Sequence, residues 1–147
     1  MTVHELYPYL CVTNTEQGIE FYTRTFVAGE KYRPTEPSGR IGHAEVDFNG
    51  SPLMLSDEFP EYEIKGLPTI GGTPATIHLH IDNADKIISG TVKLGAKLEM
   101  EPQDQFYGER SGTVRDPFGH RWNIGHHIEE VSPDEIQRRC TEMPKGR

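Results

Sequence analysis

At 147 residues the chain is the length of one domain or of two fused small modules, long enough to bury roughly two thirds of its unfolded surface. A formal net charge of −8 argues against a nucleic-acid or anionic-membrane partner, because phosphate backbones reward Lys/Arg clusters. No run approaches the ~18 apolar residues that span a bilayer, and "MTVHELYPYL" carries no basic region followed by a long apolar stretch, so neither a membrane span nor a secretory signal is expected.

Tyr7 to Thr13 alternates, with Leu10 and Val12 on one face and Tyr7, Tyr9 and Cys11 on the other, the pattern of a half-buried strand. In "TNTEQGIEFYTRTF" a helix follows. Thr13, Asn14 or Thr15 can cap it, and Ile19, Tyr22 and Phe26 recur at helical spacing beside Phe21. "RIGHAEVDFNGSPLMLSDE" is a hairpin signal, since Asn49-Gly50 favours a tight primed turn. Its arms alternate Ala44, Val46 and Phe48 with His43, Glu45 and Asp47, and Leu53 and Leu55 with Pro52 and Met54. Pro52 has no N–H to give, which places it at an edge or a strand start. Residues 58–74 are rich in Pro and Gly and are expected to form an irregular connector.

The second half repeats the first. "HLHIDNADKIISGTVKLGAKLE" lies over "YLCVTNTEQGIEFYTRTFVAGE" with Asn83 opposite Asn14. Each copy reads strand, capped helix, Gly-containing loop, further strands, and an internal repeat outweighs any local signal in deciding the fold. Ile77, Leu79 and Ile81 form the apolar face of the strand, and Thr76, His78 and His80 the polar one. Ile87, Ile88 and Val92 line one side of the helix. "TVRDPFGHRWNIGHH" is strand–turn–strand, with Trp122 and Ile124 directed one way and Arg121 and Asn123 the other. "SPDEIQRR" starts a last helix: Ser132 caps, Pro133 takes the first position and Glu135 completes a capping box. Residues 141–147 are expected to fray.

The expected fold is therefore α+β: paired βαβββ modules, each a curved sheet with a helix on its outer face. The boundaries are 1–57 for the first module, 58–74 for the connector, 75–128 for the second module and 129–147 for the C-terminal helix and tail, one domain overall. The polar faces would carry Tyr7, Tyr9, Cys11, His43, Glu45, Asp47, Met54, Thr76, His78, His80, Arg121 and Asn123. If the sheets curl toward each other these residues line one cleft, with the rings and few polar groups a small-molecule pocket needs.

The segments "PYLCVTNTEQGIEFYTRTF", "GRIGHAEVDFNGSPLMLSDE", "GGTPATIHLHIDNAD", "DQFYGERSGTVRDPFGHRWNIGHH" and "SPDEIQRR" cover nearly the whole chain in order. On them the chain resembles the vicinal oxygen chelate superfamily (glyoxalase I, bleomycin resistance proteins, extradiol dioxygenases), most closely its PhnB-like branch. "FVAGE" departs from the Phe-Gly-Ala type of helix end usual there. The resemblance implies paired βαβββ modules with a cleft, and a homodimer. It also implies metal-ligand positions at Tyr7, Met54, Thr76 and Asn123. None of these is a good ligand for zinc, iron or nickel, so no metal cofactor is expected.

The candidate ligand-binding residues are Tyr7, Tyr9, His43, Glu45, Met54, His78, His80, Tyr107, Arg110, Arg121 and Asn123. His78 and His80 share a face and have three readings: pocket wall, satisfied structural histidines, or a relocated divalent-metal site completed by Glu45 or His43. Arg110 can hold an anionic group through its planar fork, or pair with Glu109 or Asp116 and brace its loop. Catalytic residues are unassigned. There is no glycine-rich phosphate loop, nucleophile elbow or Cys-x-x-Cys. Two cysteines, Cys11 and Cys140, are no disulfide framework and fit a reducing cytoplasm. The leading expectation is a metal-independent protein that binds an organic ligand, with sequestration of a toxic compound as the role the resemblance suggests. The alternatives are a glyoxalase-like enzyme (lyase, isomerase or dioxygenase) using a displaced His/Glu metal site, a metal-free acid–base catalyst, and an interaction module whose polar face is a dimer interface.

Overall fold

A computed structural model describes residues 1–144; the last residues of the tail expected to fray, 145–147, lie outside the described residues. The chain divides into two compact units, residues 1–74 with 117–120, and residues 75–116 with 121 onward. Each holds a four-stranded mixed sheet, giving the α+β class expected from the repeat.

In the first unit β1 (Tyr9–Cys11), β2 (Gly29–Tyr32), β3 (Ala44–Asp47) and β4 (Pro52–Ser56) pair in the order β1-β4-β3-β2. β1 runs parallel to β4 and the other pairs are antiparallel. β1 is shorter than the strand expected from Tyr7, yet single bonds continue the pairing at both ends: Met54 N donates to Pro8 O, and Val12 N to Ser56 O. Pro52 opens β4, a strand start as expected. Asn49 and Gly50 both have positive φ, 53° and 96°, and close the β3–β4 hairpin in the primed turn anticipated from their identity. Leu10, Ala44, Val46, Leu53 and Leu55 are buried together with Ile19 and Tyr22 of α1 (Thr15–Thr25), which packs on β2, β3 and β4. Burying that many aliphatic and aromatic side chains, at roughly 1.5–3 kcal/mol each, is what holds the helix to the sheet. Phe118, from the turn at 117–120, joins this core edge-on to Phe21.

The connector is more regular than its composition suggests. It contains a 3-10 turn (Pro60–Tyr62) and a one-turn helix, α2 (Leu67–Ile70). Pro60 and Pro68 sit in their first turns, where a missing N–H costs nothing, so residues that read as breakers act as starters.

In the second unit β5 (Thr76–His80), β6 (Lys97–Asp104), β7 (Glu109–Arg115) and β8 (Arg121–His127) take the equivalent order, β5-β8-β7-β6. One transverse row is apolar, Ile77–Trp122–Val114–Leu98, and lies on the side covered by α3 (Ala84–Lys93). Ala84, Ile88 and Thr91 form the buried stripe of α3. Val92, expected on that stripe, is 40% exposed, because the i, i+4, i+7 line through Ala84 turns it outward. The close approach of α3 needs Gly112: a Cβ there would stand 2.7 Å from Ile88 Cδ1 and 2.9 Å from Met100 O. The chain ends in α4 (Pro133–Thr141), capped by Ser132 as expected. No helix among the described residues is long and apolar enough to cross a membrane.

Candidate functional site

Strand register sets the chemistry of each polar face. In the first unit Tyr9, Met54, Glu45 and Tyr32 are successive register partners, one residue from each strand, forming a single row across the sheet. His43, two residues before Glu45, shares that face. The Tyr9 hydroxyl lies 2.7 Å from His43 Nδ1 and 3.3 Å from Gly42 O, and His43 Nε2 lies 3.4 Å from Glu45 Oε2. The consistent proton assignment has Tyr9 O–H donating to Nδ1 and Nε2–H donating to Glu45. Tyr32 donates its hydroxyl to the same carboxylate. That bond, and the one from His43, hold the Glu45 carboxyl below the usual carboxylate range in spite of its burial. The partner effects run the other way: burial and then the Glu45 charge push the Tyr9 phenol up, and the bond to Glu45 pushes Tyr32 up. Tyr7 precedes β1 and is held above its ordinary value by its bond to Glu5. Asp47 serves the turn, both its oxygens accepting from Gly50 N.

The equivalent row of the second unit is His78–Asn123–Thr113–Met100. His78 Nδ1 lies 2.8 Å from Asn123 Oδ1, and because that oxygen only accepts, Nδ1 is the donor of the pair. Asn123 Nδ2 in turn donates to Thr113 Oγ1 at 3.3 Å. His80 Nε2 lies 3.1 Å from Glu109 Oε2. The two histidines do share a face, with ring centroids 6.3 Å apart. Arg121 bonds Thr76 Oγ1 at 2.8 Å and Glu99 Oε2 at 3.2 Å, and Glu99 is held low chiefly by its bond to Arg115.

Arg110 stands apart from this set. It is the register partner of His126 and Asp104, on the α3 side of the sheet, where its fork meets Asp85 of α3 at 2.8 and 3.1 Å and Asp104 at 2.9 Å. It braces α3 against the β6–β7 hairpin, through neither Glu109 nor Asp116 as partner. Tyr107 lies in the hairpin turn, edge-on to Phe106 at 5.3 Å, and off the sheet faces. Glu109 and Glu99 reach polar-face groups and were absent from the expected set. The signal for Glu109 was present: it has the parity of Thr113 and Arg115, and Arg110 has that of buried Val114.

The family's metal positions do not fit a metal here. Tyr7, Met54, Thr76 and Asn123 offer no imidazole, carboxylate or thiolate. Glu45, His78 and His80 are engaged as described, Glu45 within the first unit and the histidines within the second. Among the described residues no three His, Cys, Asp or Glu side chains are grouped to hold an ion.

The sequence matches the family model described as Glyoxalase/Bleomycin resistance protein/Dioxygenase superfamily over residues 3–124. It is 36% identical over 144 residues to an uncharacterized protein of Mycobacterium tuberculosis, Rv0887c, covering 96% of this chain and 85% of that one. Among solved structures it is similar to a PhnB protein from Bacillus cereus, with TM-score 0.65, 16% identity, and 84% of this chain and 99% of that one covered. It is similar also to the fosfomycin resistance protein FosX from Listeria monocytogenes complexed with Mn(II) and sulfate. That match has TM-score 0.67 and 18% identity, and covers 95% of this chain and 99% of that one.

Proposed function

Because the chain belongs to the glyoxalase/bleomycin resistance protein/dioxygenase superfamily, we propose that it is a small-molecule-binding member of it, taking an organic ligand on its polar sheet faces without a metal. The observation that carries this reading is the linked set Tyr9–His43–Glu45–Tyr32, in which polar groups and rings converge on one face while the opposite face supplies the core. Rings and a few placed polar groups are the make-up of an organic-ligand site. The donor chemistry at the family's metal positions supports the metal-free part. A cytoplasmic homodimer that sequesters a harmful compound is the setting in which we place this binding.

The test is ligand-induced protection against heat, run with a compound library in EDTA and again with Mn(II). Binding to the native state raises apparent stability by about 2.7 kcal/mol at a hundredfold excess over Kd. Saturable protection in EDTA that is lost in Tyr9→Ala supports the proposal. Protection that requires Mn(II) overturns its metal-free part, and no protection under either condition overturns the proposal as a whole.

A second reading rests on the same contacts. Glu45, His43 and Tyr9 form a carboxylate–imidazole–phenol chain. Burial and the Glu45 charge hold the Tyr9 phenol protonated, so Tyr9 would serve as a general acid, giving its proton to a bound compound. This makes metal-free proton transfer the enzymatic alternative. Turnover of a bound compound that is lost in His43→Gln, with affinity retained, would establish it.

A further inference from the structure

We propose that the polar face of the first unit recognises an alkylated ammonium group, an inference that rests on the small-molecule reading above and names its ligand class. The argument starts from Glu45. Its side chain is only 13% exposed. Among the described residues, no lysine or arginine ion-pairs with it within 4.0 Å; its partners are the Tyr32 hydroxyl and the His43 ring. Lys31 acts on it only at longer range. The chain treats other carboxylates differently: Glu99 meets Arg115 and Arg121, and Glu135 meets Arg138 and Arg139. A largely buried carboxylate without a close permanent cation is costly, and a cationic ligand would offset that cost.

The surroundings specify the kind of cation. Tyr9 and Tyr32 stand at the two ends of the row that contains Glu45, and they are 52% and 48% exposed. Their rings lie 5.3 and 5.6 Å from the His43 ring. Half-exposed phenol rings beside a largely buried carboxylate can attract a positive charge through the ring quadrupole. Met54 lies between Tyr9 and Glu45 in the row, and its thioether is a soft partner for N-methyl groups. Glu45 already accepts from two donors, so it offers a ligand its charge more than a bidentate hydrogen-bonding edge. That favours a quaternary or tertiary ammonium, which brings few or no N–H donors, over a guanidinium.

The experiment is titration calorimetry of the full chain with benzyltrimethylammonium and choline, and with 3,3-dimethylbutan-1-ol, the uncharged carbon isostere of choline. Expected are saturable binding of the ammonium probes, affinity about tenfold lower for the uncharged isostere and for Glu45→Gln, a comparable loss in Tyr32→Leu, and weakening with salt. Glu45→Gln keeps the shape of the side chain, and circular dichroism verifies its fold. Equal affinity for the isostere, or no saturable ammonium binding, overturns the inference. The two proposals fail separately. A neutral or anionic compound that protects the wild type and not Tyr9→Ala leaves the small-molecule reading standing and removes the ammonium assignment. A library with no protecting compound removes both.

Discussion

Trp122 donates its indole N–H to Asp116 Oδ2 at 2.9 Å, with both residues buried. The pair ties the base of the β7–β8 hairpin across its turn. Losing a buried hydrogen bond to a charged acceptor costs about 1.5–3 kcal/mol. Asp116→Ala should therefore lower stability by about that amount, and Asp116→Asn, which keeps a carbonyl oxygen in place, by less than half as much. Urea denaturation followed by fluorescence measures both, since Trp122 is the single tryptophan. Equal losses in the two variants would show that this hydrogen bond contributes little.

The two helix starts make a matched pair of tests. Asn14 Oδ1 accepts from Gln17 N at 3.0 Å, and Asn83 Oδ1 from Lys86 N at 3.1 Å. Each satisfies one of the N–H groups a helix leaves open at its first turn. Asn14→Ala and Asn83→Ala should each cost about 1 kcal/mol, and their double variant about the sum. Thermal or urea unfolding of the four proteins closes the cycle. A loss at one site only would show that the second helix start is held by other contacts.

Those asparagines also mark what the sequence could say. Aligning Asn14 on Asn83 exposes the repeat, and the repeat carries the strand–helix–strands order of both units. Alternation then separates the faces correctly for Glu45 against Val46 and for Asn123 against Trp122, because a strand has only two sides. Parity also places Arg110, a ligand-binding candidate expected in a loop, on the side of Val114, where it meets Asp85 and Asp104. Composition misleads in the connector, where Pro60 and Pro68 open short helical turns. Which groups pair along a face was out of reach. The Tyr9–Met54–Glu45–Tyr32 row depends on long-range register, and β2 reaches Glu45 only through an irregularity between Glu30 and Tyr32.

The two thiols should differ sharply in reactivity. Burial, followed by the charges of Glu58 and Asp57, pushes the Cys11 thiol up to about 11. At pH 8 about one such thiol in a thousand is thiolate, the reactive form. Cys140 is exposed. A thiol-specific chromogenic disulfide should thus modify Cys140 quickly and Cys11 only on unfolding, with Cys140→Ser abolishing the fast phase. A fast phase that survives this substitution would mean that Cys11 is open to solvent.

Acid should loosen α4. Glu135 bonds Arg138 and Arg139, and these contacts hold its carboxyl at about 2, against an ordinary value of 4.5. A carboxyl lowered on folding contributes stability above its unfolded value that is lost as pH falls through the folded one. The α4 amide signals should therefore lose protection progressively from about pH 4.5 to about pH 2. The effect should shrink with added salt, since these groups are half-exposed. Glu135→Gln should shrink this pH dependence, with the part due to Glu129 on Arg139 remaining, and leave Ser132 as the cap. Unchanged pH dependence in the variant would place the titrating group elsewhere.

Two buried hydroxyls predict gains in place of losses. Thr15 Oγ1 and Ser111 Oγ are buried without a hydrogen-bond partner among the described residues. The Thr15 backbone is well used, its N–H donating to Asp57 Oδ1 at 2.7 Å, so its place at the start of α1 does not depend on the hydroxyl. Ser111 sits in the middle of β7 between Gln103 and Gly125, where its Cβ would lie 3.2 Å from a Cβ at Gly125. Burying an unpaired hydroxyl costs about 1–3 kcal/mol, and that cost disappears with the oxygen. Thr15→Val conserves the shape, so it should stabilise by about 1 kcal/mol, or about 2–4 °C in Tm for a chain of this size. Ser111→Ala also leaves a small void, so its gain should be smaller, a few tenths of a kcal/mol by the same reasoning. If both variants lose stability instead, the two hydroxyls are hydrogen-bonded in solution, to ordered water, and the polar network of the second unit reaches deeper than Asn123 and Thr113.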